Sequence, residues 1–294
     1  MNYANAVLQG VFLGGLYALF ACGLSLIFGV MRIINLAHGD LAVLGAFLVW
    51  SLTTHLGAGP FVALAAALPV MLIVGYLLHR TILARSLRGG PLTPLLTTFG
   101  LAIVIQNALL QVYSPDVRSL GGAAGDLATG SWHLTEQISI SYLGVLILSA
   151  AVLVLGGLSV LLRRSAFGRE MRATAQDADT AALVGVPAQS VYAKATAIAV
   201  ATATVAGVFL AMRSTFDPSS GPTQLIFAFE AVVIGGLGSL WGTLWGGMIL
   251  GVAQTIGATI DPQYSILAGH LVFLIVLAGP RGRSLFTHRR EATA

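Results

Sequence analysis

Val7–Val30 reads VLQGVFLGGLYALFACGLSLIFGV, without a single charged side chain from end to end. About twenty apolar residues carry a helix across the hydrocarbon core of a bilayer. This run exceeds that length and shows no polar face, so it reads as a membrane span. The same pattern returns in Leu36–Thr54, Phe61–His79, Leu92–Tyr113, Ile138–Leu162 and Val191–Met212. After Pro222 the tail divides into three shorter pieces, Leu225–Gly238, Thr243–Ile260 and Ile266–Gly279. The expectation is an all-α integral membrane protein of eight or nine transmembrane helices, depending on whether Leu225–Gly238 crosses fully.

Composition agrees. Of 294 residues, 56% are hydrophobic and 9% charged, with a mean hydropathy of +0.88. A soluble domain carries about 25% charged residues, and a soluble chain this apolar would have no polar coat. The 35 glycines suit helices that must approach closely where water gives no drive for association. Cys22 is the only cysteine, so no intrachain disulfide and no cysteine-based metal site can form. Among Leu19, Phe20 and Leu24 it reads as a packing residue. Met1–Ala6 lacks the basic segment of a cleaved signal peptide, so Val7–Val30 is expected to be retained as the first span. The net charge of +4 is too small and too scattered to suggest a nucleic-acid partner.

The placement of the basic residues sets the orientation. With the loop Arg80–Gly90 in the cytoplasm and sides alternating from there, Arg32, Arg80, Arg85, Arg88, Arg163, Arg164, Arg169, Arg172, Lys194, Arg281, Arg283, Arg289 and Arg290 fall inside or at the inner edge. Only Arg118 and Arg213 fall outside. The N-terminus is then external and the C-terminus cytoplasmic. Ser114–Gln137 is an external loop, and Arg163–Ser190 is the longest polar insert on the inner side.

Four polar clusters interrupt the apolar runs. In Arg32–Asp40, Asn35 can cap a helix running from Leu36, and Asp40 then lies early in that helix, where its dipole favours an anion. The stretch is either an ordinary capped turn or a discontinuous segment near a pathway or gate, with Asn35, His38, Gly39 and Asp40 as the candidates. His38 and Asp40 are two apart and diverge on a helix, which argues against a metal or catalytic pair. In Leu92–Tyr113, Thr97, Thr98, Gln106 and Asn107 either glue neighbouring helices or line a pathway. Glu230 lies inside LIFAFEAVVI, and an ionisable group in a span is a functional candidate by default. At 1.5 Å per residue Leu225–Gly238 is roughly 21 Å long, too short to cross upright. With Gly235, Gly236, Gly238, Gly242, Gly246 and Gly247 close behind, it reads as a half-helix, a flexible turn and a second helix. The fourth cluster, Arg169–Val184, reads as one short amphipathic helix ended by Gly185 and Pro187. Its small, alanine-rich stripe suits docking into a groove on a partner. No GxxxxGK[ST] sequence occurs, so an ATP-driven process would take its ATPase from another polypeptide.

These clusters carry a family resemblance. MRIINLAHGDLAVLGA is similar to the early motif of LivH-type permeases of ATP-binding cassette importers for branched-chain amino acids. LLTTFGLAIVIQN resembles that family's fourth-span motif, GREMRATAQDADTAALVGV its cytoplasmic coupling loop, and AVVIGGLGSLWGTLWGGMILG its glycine-rich late segment. The closing AGPRG is similar to the family's terminal sequence. The resemblance runs from about Ala4 to Phe286, in order. It implies one transmembrane permease domain, residues 1–294, with a coupling loop at 163–190, in the bacterial inner membrane. It implies a second LivM-type permease, two ATPase subunits that bind the ATP and magnesium, and a periplasmic or extracellular substrate-binding protein. No cofactor is implied in this chain. Arg169, Arg172, Ala175, Gly185 and Val186 match the coupling loop, although Ala173-Thr174-Ala175 stands where many such permeases carry Glu-Ala-Ala. Two other readings stand beside the amino-acid importer: a permease for urea or short amides, and a stand-alone secondary transporter or channel. The latter has only Asp40 and Glu230 as coupling carboxylates and leaves the Arg169–Val184 segment without a use.

Overall fold

The computed structural model describes residues 3–90, 92–135 and 138–279. Arg281, Arg283, Arg289 and Arg290, and the Pro280-Arg281 step of the closing motif, lie outside the described residues. The main helices among the described residues are α1 (Tyr3–Met31), α2 (His38–Leu56), α3 (Pro60–Leu78), α4 (Thr93–Tyr113), α5 (Tyr142–Arg164), α6 (Ala166–Gln176), α7 (Ala178–Leu183), α8 (Ala188–Arg213), α9 (Gly221–Gly235), α10 (Leu240–Ile260) and α11 (Tyr264–Ala278). Seven helices among the described residues are long and apolar enough to cross a membrane, and α9 and α11 are shorter apolar helices.

The core forms around α1, which packs along α10, α8, α5 and α9. Small residues permit this. Gly10 and Gly14 on α1 face Val252 and Met248, while Gly247 and Gly251 on α10 face the Gly14 and Gly10 carbonyls, at distances a Cβ could not tolerate. Both pairs are four residues apart, so each helix presents a smooth stripe and dispersion contacts run backbone to backbone. α1 and α8 are buried over most of their length, whereas α3, α4 and α5 expose most of their apolar surface.

Three boundaries differ from the sequence expectation. Ile138–Ser141 is a strand rather than the start of a span. It pairs antiparallel with Ser131–Thr135, Trp132 opposite Ile140. Its alternation of isoleucine and serine suits a pleated strand, and Ser141 then caps α5 by accepting from the Gly144 N–H at 3.2 Å. The hairpin docks on the start of α1, where Gln9 Nε2 donates to the Ser139 carbonyl at 2.8 Å. The expected loop Arg80–Gly90 is instead a helical continuation of α3 to Gly89, beginning with a π-turn at His79–Leu83. Buried His79 meets Gln189 and Thr196 of α8 there, each at 3.3 Å, and the widened turn lets the ring reach both. The third difference, in Arg169–Val184, belongs to the site.

The ends of the bundle are unlike. One end gathers the end of α1, the α9–α10 turn, the end of α5 with Arg163 and Arg164, α6 and α7; it is the basic end. The other carries the hairpin and an aromatic cover. There Arg118 and Phe216 exchange backbone hydrogen bonds of 2.8 and 2.9 Å. Phe216 and Tyr113 pack on Phe47, and the Arg118 guanidinium stands 4.8 Å over Trp50.

Candidate functional site

α1 stops at Met31, and Arg32 takes a left-handed φ of 54°, a region sparse for residues other than glycine. The chain then runs back beside α1. His38 reaches the Phe20 carbonyl with Nε2 at 2.9 Å, roughly 16 Å back up the helix from Met31 at 1.5 Å per residue. α2 therefore begins inside the bundle. Its freed backbone groups are answered by protein: Leu36 N–H donates to Thr98 Oγ1 at 3.1 Å, and Ala37 N–H donates to Asn35 Oδ1 at 3.1 Å. Irregular backbone survives at membrane depth only with such partners. The helix starts at His38 rather than Leu36, and Asn35 closes the turn ahead of it rather than capping from Leu36 onward.

Asn35, His38, Gly39, Asp40 and Thr98 are all buried. Asp40, in the first turn of α2, accepts from Gln106 Nε2 at 2.9 Å, while His38 points to α1, so the two side chains diverge as their spacing requires. Gly39 lies against the Gly221 carbonyl, and Gly221 in turn lies against Asp40. The N-termini of α2 and α9 thus meet within the bundle, beside a carboxylate. Asn35 Nδ2 and His38 Nδ1 are buried there without a hydrogen-bond partner. Thr97 and Asn107 stand apart from this focus: each bonds back to its own helix, to the Thr93 carbonyl at 2.7 Å and the Ile103 carbonyl at 2.8 Å, and Asn107 is exposed.

Glu230 forms a second polar focus. α9 buries it against α11, where Oε1 shares a hydrogen bond with His270 Nδ1. Glu230 Oε2 has no partner. Phe227 stacks on His270 on one side and lies 5.0 Å from the Tyr17 ring on the other. The Tyr17 hydroxyl meets Gln254 Oε1 at 2.5 Å. Sequence reading named Glu230 alone. His270, an ionisable residue within Ile266–Gly279, was a detectable signal by the same rule; Tyr17 and Gln254 were not, because nothing local distinguishes them. Glu230→Gln keeps the side chain's size and replaces an ionisable carboxyl beside His270 with a neutral amide. It is expected to lower uptake about fivefold, the effect of about 1 kcal/mol in an intramembrane hydrogen bond, with insertion unchanged. Wild-type uptake by a fully inserted variant would exclude a pathway role.

The third element is the Arg169–Val184 segment, and it is two helices rather than one. Asp177 breaks it. Its backbone is extended, and Oδ1 accepts from the N–H groups of Asp179 and Thr180 at 3.0 and 3.1 Å, which starts α7 in a new direction. The Thr180 hydroxyl adds a 2.6 Å bond. These Thr180 and Asp179 hydrogen bonds hold the Asp177 carboxyl below the ordinary range. The cap is therefore intact at neutral pH and is lost only as pH falls through that lowered value, beneath about 3.9. Asp177→Ala is expected to expose the amides of 179–183 to hydrogen exchange while those of 166–176 stay protected; equal protection of both would count against the cap. Gly185, with φ of 85°, closes α7: the Val186 N–H returns to the Ala181 carbonyl at 3.0 Å and the Gly185 N–H to Ala182 at 3.1 Å, a paired terminus that needs a left-handed residue. At the other end Ser165 caps α6, accepting from the Gly168 N–H at 2.9 Å, and Arg172 donates to the Leu162 carbonyl. Arg169, Arg172 and Gly185 are exposed, with Ala175 and Val186 half-buried. Leu183 and Val184 are 87% and 76% exposed, an apolar tip for a segment otherwise fixed at both ends.

No group of three or more His, Cys, Asp or Glu is arranged to hold a metal among the described residues. The sequence matches the family model of the permease component of branched-chain amino acid transport systems over residues 6–277. The chain belongs to that family. The permease is 34% identical to the high-affinity branched-chain amino acid transport system permease protein BraD of Pseudomonas aeruginosa, over 96% of this chain and 95% of that one. It is 30% identical to the corresponding LivH of Escherichia coli over the same shares. The LivM permease protein of Salmonella typhimurium is 24% identical over 91% of this chain and 67% of its own. Membership makes the protein a transmembrane permease subunit of an ABC-type branched-chain amino acid importer, multi-pass in the inner membrane.

Proposed function

We propose that this permease supplies half of an alternating-access pathway, with its basic end in the cytoplasm and its hairpin end outside. The chain is one transmembrane domain, 1–294, in which α9 and α11 complete eight or nine spans and 163–190 is the coupling loop. A LivM-type second permease supplies the other half, two ATPase subunits dock on α6 and α7, and an external binding protein delivers the amino acid at the aromatic cover. The observation that supports this reading best is the buried meeting of α2 and α9 at Gly39 and Gly221, beside Asp40. Two helix N-termini that touch inside a bundle provide fixed positive dipole ends and a joint at which helices can part. Asn35, His38, Gly39, Asp40, Thr98 and Gln106 form the gate in this scheme, and Glu230 with His270 lies along the path; Thr97 and Asn107, bonded back to their own helix, stand outside the gate. Closure of the ATPase pair on ATP moves α6 and α7, and α5 and α8, which flank them, carry the motion to the gate.

Orientation and docking are tested together. Cys22 is buried, so with Cys22→Ala the variant Leu183→Cys presents a single thiol. A membrane-impermeant maleimide is expected to label it in inside-out vesicles and not in right-side-out ones, and bound ATPase is expected to protect it. Labelling from the outside would overturn the orientation, and unchanged labelling with ATPase bound would overturn the docking.

A further inference from the structure

At the basic end, where α6 folds back under α5, the helices leave a cavity of about 340 Å³ between α1, α5, α6 and the start of α10. Its chemistry is one-sided. Arg163 and Arg172 line it, no acidic residue does, and Ser25, Ser159 and Ser239 contribute hydroxyls. Ser239 is the cap of α10, its Oγ accepting from the Gly242 N–H, so the positive end of that helix's dipole lies at the cavity. The decisive observation is Ser25. It is 1% exposed, lines the cavity, and its Oγ has no hydrogen-bond partner. A hydroxyl residue within an apolar helix ordinarily turns its side chain back to a carbonyl of the preceding turn, as Thr204 and Thr255 do elsewhere in this chain. Ser25 instead keeps an unused donor at the wall of a cationic cavity.

We propose that this cavity binds the phosphate of an anionic phospholipid from the adjacent leaflet. Two guanidiniums and a set of hydroxyl donors fit a phosphate diester, and they leave a quaternary ammonium headgroup without an acidic partner. Trp241 lines the same cavity and is 41% exposed, and Trp245 one turn on is 65% exposed. Indoles favour the headgroup level of a bilayer, so the opening lies where acyl chains can continue along α10 and the apolar face of α5. The site holds α6 through Arg172 and α5 through Arg163. A seated lipid therefore braces the elbow at Ser165 that carries the coupling segment. The assignment of this lipid to the inner leaflet rests on the orientation proposed above.

Native mass spectrometry of the purified full chain, exchanged into mixed phosphatidylglycerol and phosphatidylcholine, reads the site directly. Wild type is expected to retain phosphatidylglycerol selectively. Arg163→Gln is expected to weaken that retention about fivefold, the effect of one basic residue against an anionic lipid. Ser25→Ala, which changes no volume of consequence, is expected to weaken it in the same direction. Equal retention of the two lipids by wild type, or unchanged selectivity in both variants at wild-type monodispersity, would overturn the proposal. Displacement of phosphatidylglycerol by inorganic phosphate at matched concentration would also overturn it, by assigning the cavity to a soluble anion. Binding here does not depend on ATPase docking or sidedness. Retained selectivity together with labelling of Leu183→Cys from the outside would therefore reject the orientation and leave the lipid site standing in the other leaflet.

Discussion

Gly39→Ala is expected to abolish uptake, and Gly100→Ala, the same change elsewhere, is expected to be silent. The added methyl at position 39 meets the Gly221 carbonyl and the Leu225 nitrogen, backbone atoms that no rotamer change can move away. Either α2 or α9 must shift, and both are anchored: α2 by Asp40 to Gln106 and by His38 to Phe20, α9 by Gly235 against Gly242. Overpacking costs typically 1–3 kcal/mol, and an obstacle made of backbone belongs at the upper end, about 3 kcal/mol. Gly100, on the outer side of α4, has nothing within 4 Å of the same methyl. Folded yield after detergent extraction and uptake in cells report the two outcomes. Normal uptake by Gly39→Ala would show that α2 and α9 do not need their close approach and would remove the gate from the mechanism.

The second large effect is expected at α6 and α7, the segment proposed to dock the ATPase. Arg169→Glu and Gly185→Trp should each leave ATP hydrolysis in the assembled complex while reducing uptake roughly thirtyfold, the effect of losing about 2 kcal/mol at an interface hot spot. Arg169 is exposed and one turn beyond the Ser165 cap, so reversing its charge disturbs no buried contact of this chain. Gly185 holds the left-handed turn that ends α7, and an L side chain there is strained by about 1 kcal/mol while a bulky ring obstructs the groove of a partner. Hydrolysis and transport measured on the same proteoliposomes separate coupling from folding. Unchanged assembly and unchanged transport in both variants would refute docking through this segment.

The spans were legible because their signal is local. A run such as Val7–Val30 declares itself by length and lack of charge, and the structure extends it only to Tyr3–Met31. The boundaries that moved were set by single side chains: Ser141 starting α5, Asp177 splitting α6 from α7, and the π-turn that carries α3 past His79. Hydropathy averages over such residues. The polar clusters were legible as clusters but not as pairs. Asp40 and Gln106 are separated by 66 positions and Glu230 and His270 by 40, and no periodicity relates residues that far apart. Thr98 was flagged without its purpose, which is to satisfy the Leu36 amide in the unwound stretch ahead of α2.

That purpose has a consequence for how the protein is made. α2 has a mean hydropathy of 1.3, against 2.2 for α1, and it begins with a histidine, a carboxylate and an unwound backbone. Its answering groups, Thr98 and Gln106, are synthesised 62 and 66 residues after the positions they serve. At about 5–20 residues per second that is a wait of roughly 3 to 13 s. During it the Leu36 amide and the Asp40 carboxyl are without the partners that α4 supplies. The joint proposed between α2 and α9 is thus complete only when a third helix, α4, has been made.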